Sequence, residues 1–116
     1  MNLEYVPEDC KGEKAKFDGK VILKMPSFQQ RHLYMTECNF GTVKDSTNLA
    51  ANKDNIKSIV TLVEKSKDHY VKVDLVKKSD GKKFAKFDEL TFDPDCDGIL
   101  REVAMAMLQG FQAGKS

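Results

Sequence analysis

The sequence is poor in cysteine and proline, with three of each in 116 residues, and it has no long apolar run. Cys10, Cys38 and Cys96 are odd in number and form no CxxC pair. This pattern excludes a disulfide framework or a zinc finger and favours reduced thiols in a cytosol. No stretch approaches the roughly 20 apolar residues that span a bilayer, and the first residues lack the apolar segment of a secretory signal. We therefore expect a cytoplasmic protein that does not enter a membrane.

Neither sign of charge dominates, because 19 lysines and arginines stand against 18 aspartates and glutamates and the net charge is +1. Such a chain has no overall field that attracts DNA, RNA or anionic lipid. Its length and its 41% hydrophobic content are sufficient for one core. We predict a single domain over residues 1–116. Within it, 1–14 form a loose arm or a short edge strand near Leu3, 41–54 form a mobile loop, and 112–116 form a tail.

The segment KFDGKVILKMP predicts the first hairpin. Asp18 and Gly19 are typical of a two-residue turn because both residue types tolerate positive φ. A strand over 21–25 follows the turn. Pro26 ends this strand because it cannot donate a hydrogen bond to a neighbouring strand.

Two helices are predicted next. SFQQ indicates a capping box, in which the Ser27 hydroxyl and the Gln30 side chain bind each other's backbone amides. This helix is expected to end at Gly41 and to carry a semi-apolar stripe. The stripe consists of Phe28, His32 and Met35, with Leu33, Thr36 and Phe40 at its margin. The second helix is capped by Asn52 or Asp54, and its apolar side consists of Ile56, Ile59, Val60 and Val63.

The segment YVKVDLVKKSDGKKFAKFDEL predicts a second hairpin with a three-residue turn at 79–81, whose glycine takes the left-handed conformation. This turn pairs Val73 with Phe87 and Leu75 with Ala85 on one side of the sheet. Charged residues then share the other side. A two-residue turn would mix charged and apolar residues on one face, so the pairing pattern favours the longer turn.

A last helix is predicted over 97–109, with apolar residues at helical spacing from Leu100 and a stop at Gly110. The element order is therefore strand-strand-helix-helix-strand-strand-helix. This order predicts an α+β fold, in which two hairpins form a small antiparallel sheet and about three helices pack on one face.

The stretch DPDCDGIL is similar to the opening of an EF-hand calcium loop, with Asp93, Asp95 and Asp97 at the first three ligand positions. The bidentate carboxylate that must close such a loop is replaced by Ala104. We also expect FDELTF to continue a strand, so that no helix enters the turn. The acids are therefore interpreted as a cap on the last helix, made by Asp95 and Asp97. A cation held weakly by the three acids is the alternative.

No residue pattern predicts catalysis. His32 is expected to be half-buried, and His69 is expected at a helix end, where an imidazolium suits the helix dipole. Cys38 follows His32 by six residues, which places the two on opposite sides of a helix. Phosphate-binding loops and hydrolase motifs are absent from the sequence. We predict a protein that is not an enzyme and that needs no cofactor.

A lysine-rich group at the tip of the second hairpin is a candidate for binding nucleic acid. Its members are Lys77, Lys78, Lys82, Lys83 and Lys86, with Phe84 among them. The group contains no arginine, the residue that dominates base readout, and acidic residues follow it directly. Lysines on a hairpin also protect a sheet edge from pairing with other chains, and we favour this interpretation.

Four apolar residues have no evident place in the predicted core: Met35, Phe40, Met105 and Phe111. Met35 and Phe40 flank the 41–54 loop, Met105 lies on the charged side of the last helix, and Phe111 follows its end. Methionine adapts to partners of varied shape. We predict that these residues form a partner-binding surface, with ordinary core packing as the alternative for each.

Two stretches, GKVILKMPSFQQRHLYMTE and FDELTFDPDCDGILREVAMAMLQGF, resemble the small tail assembly chaperones of long-tailed bacteriophages. The similar regions cover residues 17–40 and 70–112. The resemblance implies a non-enzymatic protein of the infected cell's cytoplasm. Such a protein binds the hydrophobic tape-measure protein and keeps it soluble while tail-tube subunits assemble. It also raises the question of a longer form made by ribosomal frameshift, and self-association stays open.

Two rival classes remain open beside this one. The first is an interaction module or regulator that docks through its sheet edge. The second is a nucleic-acid-binding or cation-binding protein. A calcium-dependent rise in melting temperature would favour the cation site, and salt-dependent binding of short DNA or RNA would favour the lysine hairpin.

Overall fold

The computed structural model describes residues 2–38 and 53–109 and confirms the predicted α+β class. Four antiparallel strands form one sheet in the order β1-β2-β3-β4. The strands are β1 (Asn2–Tyr5), β2 (Phe17–Lys24), β3 (Tyr70–Lys77) and β4 (Lys83–Phe84). The α-helices are α1 (Phe28–Glu37), α2 (Lys53–Ser66), α3 (Phe87–Thr91) and α4 (Asp97–Gln109). Short 3-10 turns cover Glu8–Cys10, Lys67–His69 and Pro94–Cys96.

The hydrophobic core lies between one face of the sheet and the helices. Alternate residues of the two central strands point into it, including Val21 on β2 and Val73 on β3. The helices add residues at helical spacing, which are Ile59 and Leu62 on α2 and Ile99, Leu100, Val103, Ala104 and Met107 on α4. Lys72 and Asp74 occupy the intervening positions of β3 and are exposed. Because apolar and charged residues alternate along the strand, one face of the sheet is buried against the helices and the other faces solvent.

The predicted turn at Asp18-Gly19 is wrong. β2 runs through both residues, and Gly19 pairs with Leu75 on β3. Gly19 has a φ of 119°, and a Cβ at this position would lie 1.9 Å from the carbonyl oxygen of Asp74. The glycine is required by a close approach of two backbones rather than by a turn. The partner of β2 in the first hairpin is β1, so the edge-strand alternative for the N-terminal region is confirmed.

The predicted register of the second hairpin is wrong by one residue. Leu75 pairs with Phe84 instead of Ala85. The turn is closed by the Lys77 amide, which donates to the Lys82 carbonyl at 2.8 Å. Gly81 has a φ of 74°, so its predicted left-handed conformation is confirmed within a longer turn. The apolar pattern selects which face is buried, but it does not fix the number of residues in the loop.

The FDELTF stretch forms α3 instead of the predicted strand. The Glu89 carboxylate accepts hydrogen bonds from the amides of Ala85 at 2.8 Å and Lys86 at 2.9 Å. The Lys86 amide would otherwise continue the pairing of β4 with β3, whereas the Ala85 amide faces away from β3. Because the Glu89 side chain accepts from both amides, the chain begins a helix here instead of extending the strand. Acidic residues in the first turn of a helix commonly have this effect.

The other helices agree with the predictions more closely. Ser27 Oγ accepts from the Gln30 amide at 3.1 Å and the Gln30 side chain accepts from the Ser27 amide at 2.9 Å, so the capping box is confirmed. α4 covers the predicted 97–109. Val60, predicted on the buried side of α2, is exposed, and Leu62 is buried instead. No helix among the described residues is long and apolar enough to cross a membrane.

Several predictions fall on positions outside the described residues. These concern the helix stops at Gly41 and Gly110, the cap at Asn52, most of the 41–54 loop and the 112–116 tail. The alternative cap, Asp54, is wrong, because α2 begins at Lys53 and Asp54 is already inside the helix.

Candidate functional site

The acidic turn before α4 holds a lysine ammonium. Lys77 Nζ on β3 lies 2.7 Å from an Asp93 oxygen and 2.8 Å from an Asp95 oxygen. The Lys77 and Asp93 side chains are only 13% and 11% exposed. The hydrogen bond to Lys77 holds the pKa of Asp93 below its ordinary value, and the bonds to Asp93 and Asp95 raise the pKa of Lys77. The Lys77 ammonium therefore already balances the negative charge of the carboxylates in this turn.

The predicted capping roles of the acids require correction. Asp93 makes the cap, because its side chain accepts from the Asp95 amide at 3.0 Å and opens the Pro94–Cys96 turn. Asp97 is the first residue of α4, so its predicted position at the positive end of the helix dipole is confirmed. The expectation that no helix precedes the turn is also wrong, since α3 does.

Among residues 2–38 and 53–109, no group of three or more histidines, cysteines, aspartates and glutamates could hold a metal ion. Glu102 is the one acid of α4 near the end of the EF-like stretch, and its carboxylate binds the N-terminal region instead of the acidic turn. Its carboxylate accepts from the Tyr5 hydroxyl at 2.7 Å and from the Glu8 amide at 3.0 Å. It therefore ties the N-terminal region to α4 and does not face the acidic turn's lysine.

We expect calcium to leave the melting temperature of the protein unchanged. The Lys77 ammonium lies at hydrogen-bond distance from Asp93 and Asp95, so an ion would have to displace it without gaining a closing carboxylate. Thermal melts with and without millimolar calcium test this expectation, with magnesium as the control for general ionic effects. A calcium-specific rise in the midpoint would contradict it, because only an ion bound to the native state stabilises the fold.

His69 is a buried structural histidine. Its Nδ1 lies 3.0 Å from the Lys24 carbonyl oxygen and its Nε2 lies 2.7 Å from the Tyr34 hydroxyl. Since a carbonyl only accepts, Nδ1 donates to Lys24, while Nε2 shares a hydrogen bond with the Tyr34 hydroxyl. Both ring nitrogens therefore have partners, and His69 lies at the end of the 3-10 turn that follows α2, so its predicted position at a helix end is confirmed. These bonds join α1 to β2 and to the start of β3.

His32 and the cysteines do not form a catalytic group. His32 is exposed rather than half-buried, whereas Cys38 is buried, so the two lie apart as predicted. Burial raises the pKa of the Cys10 and Cys96 thiols to about 11 and also raises that of Cys38. Because the thiolate is the nucleophile, none of the three thiols is activated by its surroundings.

The lysine hairpin is largely occupied by contacts within the protein. Phe84 is buried in the core, and Lys82 Nζ lies 5.1 Å from the centre of its ring. Lys78 lies 3.6 Å from an Asp18 carboxylate oxygen, and Lys77 is bound to the acidic turn. A buried aromatic ring cannot stack on an extruded base, which removes the main argument for single-stranded nucleic acid.

α1 exposes its apolar side chains. None of its residues is buried. Phe28, His32 and Met35 are spaced by four and then three residues, so they share one side of the helix, which we call the α1 stripe. The Phe28 side chain is 76% exposed and that of Met35 is 39% exposed. The predicted residues thus do lie along one side of the helix, but that side faces solvent.

α1 is attached to the fold by its other side. Tyr34 binds His69, Glu37 forms an ion pair with Lys65 on α2, and Cys38 is buried just after the helix. These three positions lie at helical spacing, close to one another around the axis. The helix is therefore anchored without using Phe28 or Met35, and both remain available for contact.

The other predicted partner-binding residues have mixed positions. Met105 is half-buried and packs against the core, whereas Phe40 and Phe111 lie outside the described residues. Sequence reasoning missed Phe92, which is 84% exposed just after α3, and Val71 on β3, which is also exposed. Nothing in the sequence signalled either position, because both stand in apolar patterns that are typical of core residues.

Comparison with known proteins adds no identification. No protein-family model, no curated protein and no solved structure matches the chain. The described residues present two notable surfaces, an anchored helix with an exposed apolar stripe and an acidic turn already filled by lysine.

Proposed function

We propose that this chain is a non-enzymatic tail assembly chaperone that binds the tape-measure protein through the α1 stripe. The observation that carries the proposal is the exposure of Phe28 and Met35 on a helix that is anchored by other residues. The resemblance in two regions of the sequence supplies the identity of the client and the cytoplasm of the infected cell as the location. In this role the protein keeps its client soluble while tail-tube subunits assemble.

The size of the stripe suits a chaperone that must release its client. Burying a large apolar side chain contributes roughly 1.5–3 kcal/mol. Two such side chains give a contact that is useful but reversible, since every 1.4 kcal/mol is about tenfold in affinity. An apolar face on an exposed helix is complementary to another amphipathic helix. Methionine also adapts to the irregular surface of a long, variable client.

The state of the chemically reactive groups supports a binding role over catalysis. His69 is satisfied at both ring nitrogens, and burial raises the pKa of all three thiols. Catalytic residues, by contrast, are activated by neighbours that move their pKa towards the working pH. Lys77, the most strongly perturbed cation described above, is bound to two carboxylates and is not free to act as a base.

Replacing Phe28 by serine should reduce the amount of tape-measure protein that stays soluble on co-expression. Full burial of phenylalanine contributes roughly 1.5–3 kcal/mol, so we expect affinity for a client helix to fall by tenfold or more. Phe92→Ser is the matched control, because it removes the same residue type from a position that is 84% exposed on a different element. Soluble client is measured by co-purification, and affinity by titration with a labelled client helix.

Both variants should melt at the temperature of the wild-type protein, because neither phenylalanine is buried. If Phe92→Ser weakens binding as much as Phe28→Ser does, the α1 stripe is not the contact surface. If the tape-measure protein stays insoluble with the wild-type chain and does not co-purify, the chaperone proposal is wrong. The α1 stripe would then have to bind a partner other than the tape-measure protein.

A further inference from the structure

β3 has an open edge over part of its length. On one side β3 pairs with β2 from Lys77 to Tyr70. On the other side it pairs with β4 only at Leu75 and Val76. Within the described residues, 70–74 therefore have no neighbouring strand on the β4 side. Unpaired strand edges of this kind are templates for pairing with another chain.

The open edge results from the capping of α3. The Glu89 carboxylate binds the amides of Ala85 and Lys86, so the chain leaves the sheet after Phe84. If β4 continued in its observed register, Lys86 would lie opposite Val73. The Lys86 amide instead donates to the Glu89 carboxylate, and Val73 on β3 is left without a partner on this side.

The hydrogen-bonding groups of Val73 point to this open side. The Lys77 amide donates to Lys82, so Lys77 belongs to a hydrogen-bonded pair of the antiparallel ladder. Such pairs alternate along a strand, which makes Leu75 and then Val73 the next positions whose N–H and C=O groups face β4. The edge thus presents backbone groups that only another extended backbone satisfies in register.

A groove of about 240 Å³ separates this edge from the segment that leads into α3. Val71 and Phe87 give it an apolar lining. Lys72 and Lys86 also line the groove, and neither has an acidic partner within the described part of the chain. A third lysine, Lys67, pairs with Asp88 at 3.3 Å. The groove therefore carries an excess of positive charge next to an open strand.

We propose that the open edge of β3 binds an extended, acidic segment of a partner protein as an additional strand. The backbone groups of Val73 specify an extended occupant, and the ammoniums of Lys72 and Lys86 specify carboxylates along it. The exposed Val71 contributes an apolar contact to alternate side chains of the segment. This site is separate from the α1 stripe and adds a second kind of ligand to the proposed function, so either proposal can fail without the other.

A short fluorescent peptide of alternating valine and glutamate is the probe. Fluorescence anisotropy measures its binding, and amide hydrogen exchange measures protection of Val73. The same peptide with N-methylated valines keeps the charge but loses backbone donors. A valine–lysine peptide reverses the charge, and a single-stranded oligonucleotide of equal negative charge tests for simple anion binding. We expect only the unmodified valine–glutamate peptide to bind and to protect the Val73 amide.

The double variant Lys72→Glu/Lys86→Glu should weaken binding of the valine–glutamate peptide by roughly tenfold, because two ammonium groups that attract the glutamates are replaced by carboxylates that repel them. Lys14→Glu/Lys57→Glu is the matched control. It makes the same change in net charge at two exposed lysines that do not line the groove. Phe28→Ser should leave peptide affinity unchanged.

Three outcomes would overturn the proposal. The first is no binding of the valine–glutamate peptide at millimolar concentration. The second is equal binding of the N-methylated peptide or of the oligonucleotide, which would reveal an anion site without strand addition. The third is an equal loss of peptide affinity in the two double variants, which would mean that the protein's net charge, and not the groove, determines binding.

Discussion

Replacing Gly19 by alanine is expected to destabilise the fold by about 4 kcal/mol, at the upper end of single substitutions. The added Cβ would lie 1.9 Å from the carbonyl oxygen of Asp74, which is far closer than a carbon and an oxygen that are not bonded can approach. The φ of 119° at Gly19 adds strain for any residue with a side chain. Neither strand can retreat easily, because β2 and β3 form the centre of the sheet.

Gly81→Ala is the matched control for this substitution. Gly81 also has positive φ, at 74°, but a Cβ there would meet nothing within 4 Å. Its cost is therefore the left-handed conformation alone, about 1–2 kcal/mol. Urea unfolding followed by circular dichroism measures both variants. With a typical total stability of about 5–15 kcal/mol, Gly19→Ala should lose a large part of its stability and unfold at a much lower urea concentration. Equal midpoints for the two variants would contradict the close approach of the strands.

Gly19 also shows why a local signal was misread. An Asp-Gly pair next to an apolar run is typical of a hairpin turn, and on this ground the sequence predicts a turn at residues 18 and 19. The physical reason for this glycine lies on another strand more than 50 positions along the chain, at Asp74. Composition and periodicity carry no information about such an approach. Local signals were sufficient where the structure is local, as in the capping box of α1 and the apolar spacing of α4.

The same distinction applies to the candidate site. The sequence predicted a line of residues at Phe28, His32 and Met35, and the line exists. Periodicity could not reveal that this side faces solvent, because the anchoring contacts come from His69 and Lys65 on other elements. Likewise the acids of DPDCDG were recognised, but the lysine that fills the turn comes from β3. Long-range partners of this kind become visible only when the fold is known.

Replacing Lys77 by methionine should give the second large effect, a loss of stability at neutral pH that disappears in acid. The substitution keeps most of the aliphatic length of the side chain but removes the ammonium. Asp93 is then left almost buried without its cation, which is more damaging than having no pair at all. We expect a fall of several degrees in melting temperature at neutral pH. Asp93→Asn should cost less in the methionine background than in the wild-type protein.

The pH dependence follows from the directions of the two pKa shifts. The pKa of Asp93 is below its ordinary value of 3.8 in the folded protein, so its bond to Lys77 stabilises the fold above that value. This contribution is lost as the pH falls through the lowered pKa of Asp93. The pKa of Lys77 is above its ordinary value of 10.5, so its contribution is complete below 10.5 and is lost only in stronger alkali. The difference between wild type and Lys77→Met should therefore be constant across neutral pH and vanish in acid.

Urea unfolding of both proteins across acidic and neutral pH measures this difference directly. Lys83→Met serves as the control, because Lys83 is an exposed lysine of the same hairpin. Its effect should be small at every pH. A difference for Lys77→Met that persists unchanged below the lowered pKa of Asp93 would mean that the lysine stabilises the fold by packing of its aliphatic chain. A difference that vanishes there would establish that the acidic turn is organised by an internal cation, and that the lysine has the role an ion would have in a calcium-binding loop.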